Sequence, residues 1–213
     1  IFNSVTFIVF LIICVFLYWN LPNRARIWMI FLSGLVFYGF WRIEFIPIMM
    51  FTAFTDYFIA LKIDALEDAK KRERLNWLIL SFVVNFGLLV YFKYLMFFTE
   101  NINTLSAAIG IDFRLPIYKI ILPLGISFYT FESVCYTVDV YRRHLKPNKD
   151  WALYGGFITF FPKLIAGPIL RASEILHQIR ERPAFKVDFI ADGLGRVLQG
   201  LFLKVVIADN ISP

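Results

Sequence analysis

Three ionisable side chains sit where an oily chain should reject them, and they set the question of what chemistry the chain supports. Glu132 lies in mid-span of ILPLGISFYTFESVCYTVDVYRR, with Asp139 nearer its end. Lys163 lies in WALYGGFITFFPKLIAGPILR, flanked by Pro162 and followed by the Gly167–Pro168 break. A charge at the centre of a membrane helix costs on the order of 2.5–3.5 kcal/mol on insertion scales, so such groups face a bundle interior or a water-filled cavity. Tyr129, Glu132, Tyr136 and Asp139 recur at three- or four-residue intervals and share one helical face. One reading makes that face a cavity wall, with Glu132 orienting a substrate or a catalytic partner. The other makes Glu132 a buried carboxylate satisfied by Lys93, Lys163 or a tyrosine hydroxyl, holding helices in register.

The remaining polar groups point less sharply to chemistry. Asp139 with Arg142 reads as a boundary ion pair, and Asp56 beside Tyr57 as a structural group near a helix end. Lys93, between Tyr91 and Tyr94, is placed to snorkel outward. His144 in a basic loop and His177 on an amphipathic segment have no orienting partner nearby. GISFY is not a nucleophile elbow, because Tyr129 occupies the second glycine position. Gly193, Gly195 and Gly200 do not fit dinucleotide spacing. No metal-ligand cluster stands out, and Cys14 and Cys135 both fall in apolar runs as small buried hydrophobes.

The elements that would position these groups follow from the distribution of apolar residues. Of 213 residues, 59% are hydrophobic, 19% aromatic and only 18% charged; the mean hydropathy is +0.67. A soluble domain of this size needs more surface charge, and the apolar residues come in blocks rather than stripes. The fold class expected is all-α, a multi-pass transmembrane helical bundle with a re-entrant or broken helix pair and interfacial amphipathic helices. Spans are expected at about 2–19, 27–41, 45–63, 75–98 and 120–141 of one membrane domain covering 1–213. DALEDAKKRERLN reads as a short solvated helix or loop, and Thr99 to Lys119 as a polar connection. Residues 151–170 carry their breakers near the middle and basic flanks, which fits a re-entrant pair of half-helices. SEILHQIRERP reads as an amphipathic segment in the cytoplasmic interface, and 187–209 as an amphipathic or membrane helix.

The net charge of +6 is assigned to loops facing anionic lipid, since no basic run interleaved with aromatics suggests nucleic acid. Eleven Lys and Arg between Arg24 and Lys149 fall in the loops of one side, against Arg42, Arg114 and Lys119 on the other. The positive-inside rule then places the N-terminus outside. The first span lacks a small-residue cleavage site and reads as a retained helix.

LPLGISFYTFESVCYTVDVYRR followed by FITFFPKLIAGPILR resembles the signature of the membrane-bound O-acyltransferase (MBOAT) superfamily, with the nearest likeness in its bacterial alginate O-acetyltransferase branch. FNSVTFIVF, FYGFW, TDYFIA, FGLLVYFKYLMFF and GLFLKVVIADN agree with that branch, so the likeness covers essentially the whole chain. Glu132 and Lys163 stand where glutamine is expected. The resemblance implies an integral enzyme of the bacterial inner membrane. It would pass an acyl group from a cytoplasmic donor such as acetyl-CoA or an acyl carrier to hydroxyls of an exported polysaccharide, with extracytoplasmic acetyltransferase partner proteins. The family's essential histidine lies in an apolar stretch of the C-terminal half that nothing here matches, so the chain is expected to be an N-terminal half without its own catalytic residue. Tyr129, Glu132, Tyr136, Asp139, Pro162, Lys163, Gly167 and Pro168 are then expected to line the substrate tunnel. D-alanyl transfer to teichoic acid in the sister branch, a transporter subunit and a membrane scaffold are the alternatives.

Overall fold

The computed structural model describes residues 4–111, 113–117, 120–165 and 167–211. Phe2, at the start of the first expected span, and Lys119, in the charge count, lie outside the described residues. All regular structure among the described residues is helical. Asn23–Ala65 and Lys71–Ala108 are long and apolar enough to cross a membrane, and Val5–Asn20 is a shorter apolar helix.

Helix α1 (Val5–Asn20) starts on Ser4, whose hydroxyl accepts the Phe7 N–H at 3.2 Å. Helix α2 (Asn23–Arg42) is followed by a tight turn at Ile43–Phe45, where Arg42 is extended and Pro47 opens α3 (Ile46–Ala65). Trp151 shows how the two pack. It lies 6.1 Å from Phe31 of α2, and stacks at 3.8 Å on Phe54 and at 5.2 Å against Tyr57 of α3. Residues about equally far before and after the turn therefore meet one ring, so α2 and α3 run antiparallel.

The charged stretch after α3 is not a separate helix or loop. It is divided between the last turn of α3, a short turn, and the start of α4 (Lys71–Leu89). Arg143, in a left-handed conformation (φ 61°), holds that turn by donating to the Asp64 carboxylate at 2.9 Å and the Leu66 carbonyl at 2.7 Å. Arg74 adds a 2.7 Å bond to Asp68 and a second to the Tyr141 carbonyl.

α4 does not end near Phe98 in a polar connection. The chain passes through a wider turn at Val90–Tyr94, with π geometry, into α5 (Leu95–Ala108), so Thr99, Glu100 and Asn101 are helical. The hydroxyls of Thr99 and Thr104 and the amide of Asn101 bond back to carbonyls three or four residues earlier, which lets polar residues continue a helix.

The next helix is shorter than its apolar run. Residues 120–123 are non-helical, and α6 (Ile126–Tyr141) begins only after Gly125, which adopts φ 70°. Phe86 of α4 meets Phe131 of α6, and Arg74 meets Tyr141, so these two helices are also antiparallel.

The expected break in 151–170 is present, slightly earlier than the prolines alone suggest. α7 (Trp151–Ile158) is capped by Asp150 and ends where the Thr159 hydroxyl bonds back to the Gly155 carbonyl at 3.0 Å. A single turn, α8 (Phe161–Leu164), follows, and the chain then runs non-helically to α9 (Ala172–Arg180). At its start, the Lys149 carbonyl accepts the Tyr57 hydroxyl near the end of α3. At its deepest, Leu164 lies against Gly125 at the opposite end of α6. At its finish, the Ile179 and Arg180 carbonyls meet Arg26 at the start of α2. The segment thus leaves one end of the bundle, reaches close to the other, and returns. Ala152 to Thr159 is buried throughout, so this excursion is the core of the fold.

The amphipathic reading of α9 holds, but its apolar residues Ala172, Leu176 and Ile179 are buried against the bundle. Helix α10 (Val187–Phe202) continues through a π turn into α11 (Asp209–Ile211), and none of its residues is buried.

Candidate functional site

Glu132 and Lys163 meet where the returning segment crosses α6. The Lys163 ammonium donates to the Glu132 carboxylate at 2.7 Å, and the two side chains are 4% and 3% exposed. Lys163 Nζ also stands 3.9 Å from the centre of the Phe157 ring, a cation–π contact inside the same loop. One carboxylate on α6 therefore holds the broken segment through Lys163. Of the partners open to Glu132, the structure selects Lys163; Lys93 instead faces the Tyr94 ring at 5.5 Å.

The neighbouring contacts explain why the limbs enter so deeply. A Cβ on Gly34 would stand 2.0 Å from the Thr159 carbonyl oxygen, and one on Gly125 would stand 2.2 Å from that of Leu164. Both helices present bare backbone to the broken segment, the close approach that small residues permit in apolar bundles. The Thr159 hydroxyl donates to the Phe31 carbonyl at 3.2 Å, so the break is tied to α2 by a side chain.

The other expected site residues divide into three groups. Tyr129 lies on the Glu132 face beside Tyr38, and both hydroxyls are buried with no partner beyond each other among the described residues. Tyr136 and Asp139 belong to the opposite end of α6. The Tyr136 hydroxyl accepts the Asn148 N–H at 3.0 Å, while Asp139 is half-buried and forms no pair with Arg142 among the described residues. Pro162, Gly167 and Pro168 are exposed on the segment itself, and Pro162 lines a cavity of about 300 Å³ between α1, α2, α8 and α9.

Sequence reasoning missed a second buried polar cluster. Asp56 of α3 accepts the Ser81 hydroxyl at 2.5 Å and the Asn85 amide at 2.7 Å from α4, with Ser133 and Thr137 of α6 close by. The signal was available: Ser81 and Asn85 are four apart in an apolar helix and share a face. Asp56 is thus structural, as its position suggested, and it joins three helices rather than marking a boundary. Among the described residues no group of three His, Cys, Asp or Glu side chains is placed to hold a metal ion. Both histidines are exposed, and His177 bonds to its own helix.

An all-helical, largely apolar bundle whose interior is a broken segment clamped by an ion pair defines a class of proteins rather than an activity. Comparison with known proteins gives the family. The chain is 35% identical to the probable alginate O-acetylase AlgI of Azotobacter vinelandii, over 99% of this chain and 42% of that one. It is 36% identical to the Pseudomonas aeruginosa protein of the same description, over 99% of this chain and 40% of that one. A peptidoglycan O-acetyltransferase of Helicobacter pylori is 34% identical over 90% of this chain and 40% of its own. The chain is therefore homologous over nearly its whole length to MBOAT-type O-acetyltransferases, as its motifs implied. It spans about two fifths of the length of these curated relatives. No family model and no solved structure matches it.

Proposed function

We propose that this chain forms part of a membrane-bound O-acetyltransferase that moves acetyl groups from a cytoplasmic donor to an exported polysaccharide of the alginate kind. The observation that carries the proposal is homology, over nearly the whole chain, to proteins described as alginate O-acetylases. The donor is acetyl-CoA or an acyl carrier, and extracytoplasmic acetyltransferases receive or use the group. Placement as a multi-pass membrane bundle is supported by the outward-facing apolar side chains; the bacterial inner membrane follows from the relatives, and an N-terminus outside from the excess of Lys and Arg in the loops of one side. Phe16, Phe40 and Phe58 are each more than half exposed, and such a surface suits lipid rather than water. Residues 151–170 are then re-entrant from the cytoplasmic face, with Arg26, Tyr141 and Arg143 at that face.

Acyl transfer through a bilayer needs a base, donors for the developing oxyanion, and a passage that excludes bulk water. In this proposal the α6 face and the broken segment are the passage wall. Glu132 and Lys163 hold the wall in register, and Tyr129 and Tyr38 offer buried hydroxyls along it. Tyr136 and Asp139 line its cytoplasmic approach, and Pro162, Gly167 and Pro168 its far end, where the segment turns back.

The test is the ester-linked acetate on exported polysaccharide from cells lacking the gene, with and without the full-length gene returned. Loss and recovery are expected; unchanged acetylation would overturn the proposal. Because one relative is described as a peptidoglycan O-acetyltransferase, peptidoglycan is the second acceptor to assay. Loss of acetate from peptidoglycan alone would move the assignment to that polymer, and loss of D-alanine from teichoic acid would move it to the other acyl group.

A further inference from the structure

Two arginines at the α1–α2 end of the bundle both contact Tyr18, and neither has an acidic partner among the described residues. Arg26 is completely buried. Its Nη2 donates to Asn23 Oδ1 at 2.5 Å and to the Ile179 and Arg180 carbonyls at 3.0 Å, while Nε and Nη1 meet no acceptor. Its guanidinium lies 5.1 Å from the centre of the Tyr18 ring, whose backbone carbonyl accepts from Arg182 at 3.2 Å, so both cations touch the same residue. Arg182 is exposed, lies over the Trp19 ring at 5.9 Å, and through Nη1 caps the end of α1, donating to the Tyr18, Trp19 and Leu21 carbonyls at 3.2, 2.7 and 3.4 Å, which leaves Nη2 and Nε to meet an anion. Neither arginine pairs with a carboxylate among the described residues. A desolvated cation beside a second cation is costly unless an anion joins them.

The cavity of about 300 Å³ adjoins this pair. Leu11, Cys14 and Tyr18 of α1 face Ile30, Phe161 and Ile179 across it. Tyr18 and Ile179 touch both Arg26 and the cavity, so the slot begins beneath the guanidinium. It runs along α1 as far as Leu11, two turns or roughly 10 Å away. An apolar slot with two cations just beyond its lining, both in contact with Tyr18, fits an amphiphile with an anionic head.

We infer that this site binds an anionic glycerophospholipid, its phosphate at Arg182 over Arg26 and one acyl chain in the slot against α1. The charge pair selects a net-negative headgroup over a zwitterionic one, and the slot selects a tailed phosphate over a free one. The inference rests on the membrane placement proposed above. A protein released from membranes without detergent would defeat that placement separately.

The test uses native mass spectrometry of the full-length protein in nonionic detergent, with phosphatidylglycerol, phosphatidylcholine or glycerol 3-phosphate added at equal concentration. Phosphatidylglycerol is expected to be retained about fivefold over phosphatidylcholine. Arg182→Gln, an exposed change, is expected to erase that preference, and Leu11→Trp, which fills the slot, to lower retention of both lipids. Equal retention of the two lipids, or wild-type retention in both variants, overturns the inference. Displacement of phosphatidylglycerol by glycerol 3-phosphate overturns it too, in favour of a simple anion site.

Discussion

The Glu132–Lys163 pair carries its weight through what happens when half of it is removed. A lone buried ion costs about 3–5 kcal/mol, whereas replacing both partners by apolar groups of similar volume is close to neutral. Glu132→Ala is therefore expected to lower the thermal stability of the full-length protein in detergent by about that amount. The double change Glu132→Leu with Lys163→Met is expected to melt near wild type. Acetylation measured in the double variant separates two roles: activity lost in a well-folded protein assigns the pair to the reaction path, and activity kept assigns it to holding the fold. The sequence made Glu132 conspicuous and narrowed its partners to Lys93, Lys163 or a tyrosine. It could not choose, because Lys163 stands 31 positions further along and arrives only once the chain has folded back. Asp56 was equally visible, but its partners are ordinary polar residues whose facing depends on how α3, α4 and α6 are rotated.

Among the elements, glycines report which surfaces touch. Gly34→Ala and Gly125→Ala place a methyl carbon about 2 Å from carbonyl oxygens of the broken segment, and Gly125 is also left-handed. Backbone has to give way at both sites, so each change is expected to destabilise the protein by at least about 2 kcal/mol, read as a drop in melting temperature. Gly193→Ala and Gly195→Ala on α10 meet nothing within 4 Å. There alanine is expected to be neutral or to stabilise by up to about 1 kcal/mol, since it only improves helix propensity. Periodicity and breakers exposed the helix break at 151–170 and the amphipathic α9, but not where α9's apolar face goes. That depends on Arg26 catching its final carbonyls, a contact across more than 150 residues.

For the molecule as a whole, the course of residues 149–181 makes a topological claim that chemistry can check. Lys149 and Glu181 are exposed, and both belong to the end of the bundle marked by Arg26. Cysteines placed at the two positions in a cysteine-free full-length protein are expected to react with an impermeant maleimide from the same side. A full crossing would put them on opposite sides. A third cysteine at Asp68 is expected to label with them, and its labelling from the outer side would reverse the assigned orientation. Hydropathy made the blocks legible because lipid solvation is read over about 20 residues. It misjudged 120–125, which is apolar but not helical, and α5, where hydroxyl and amide side chains bond back and extend the helix. It gave no partner for α10, and none is seen among the described residues.

The wide turn at Val90–Tyr94 acts as a ruler. From Lys71 to Val90 the rod climbs roughly 28 Å, close to the hydrocarbon thickness of a bilayer, and there it reaches Tyr91, Lys93 and Tyr94. Tyrosines and a lysine are the side chains that anchor at the headgroup level. In the membrane placement proposed above, the fourteen residues of α5 project past that plane as a post standing clear of the oil. Membranes much thicker than this would drag the post's polar residues inward, so lipid chain length becomes a control on how the protein sits.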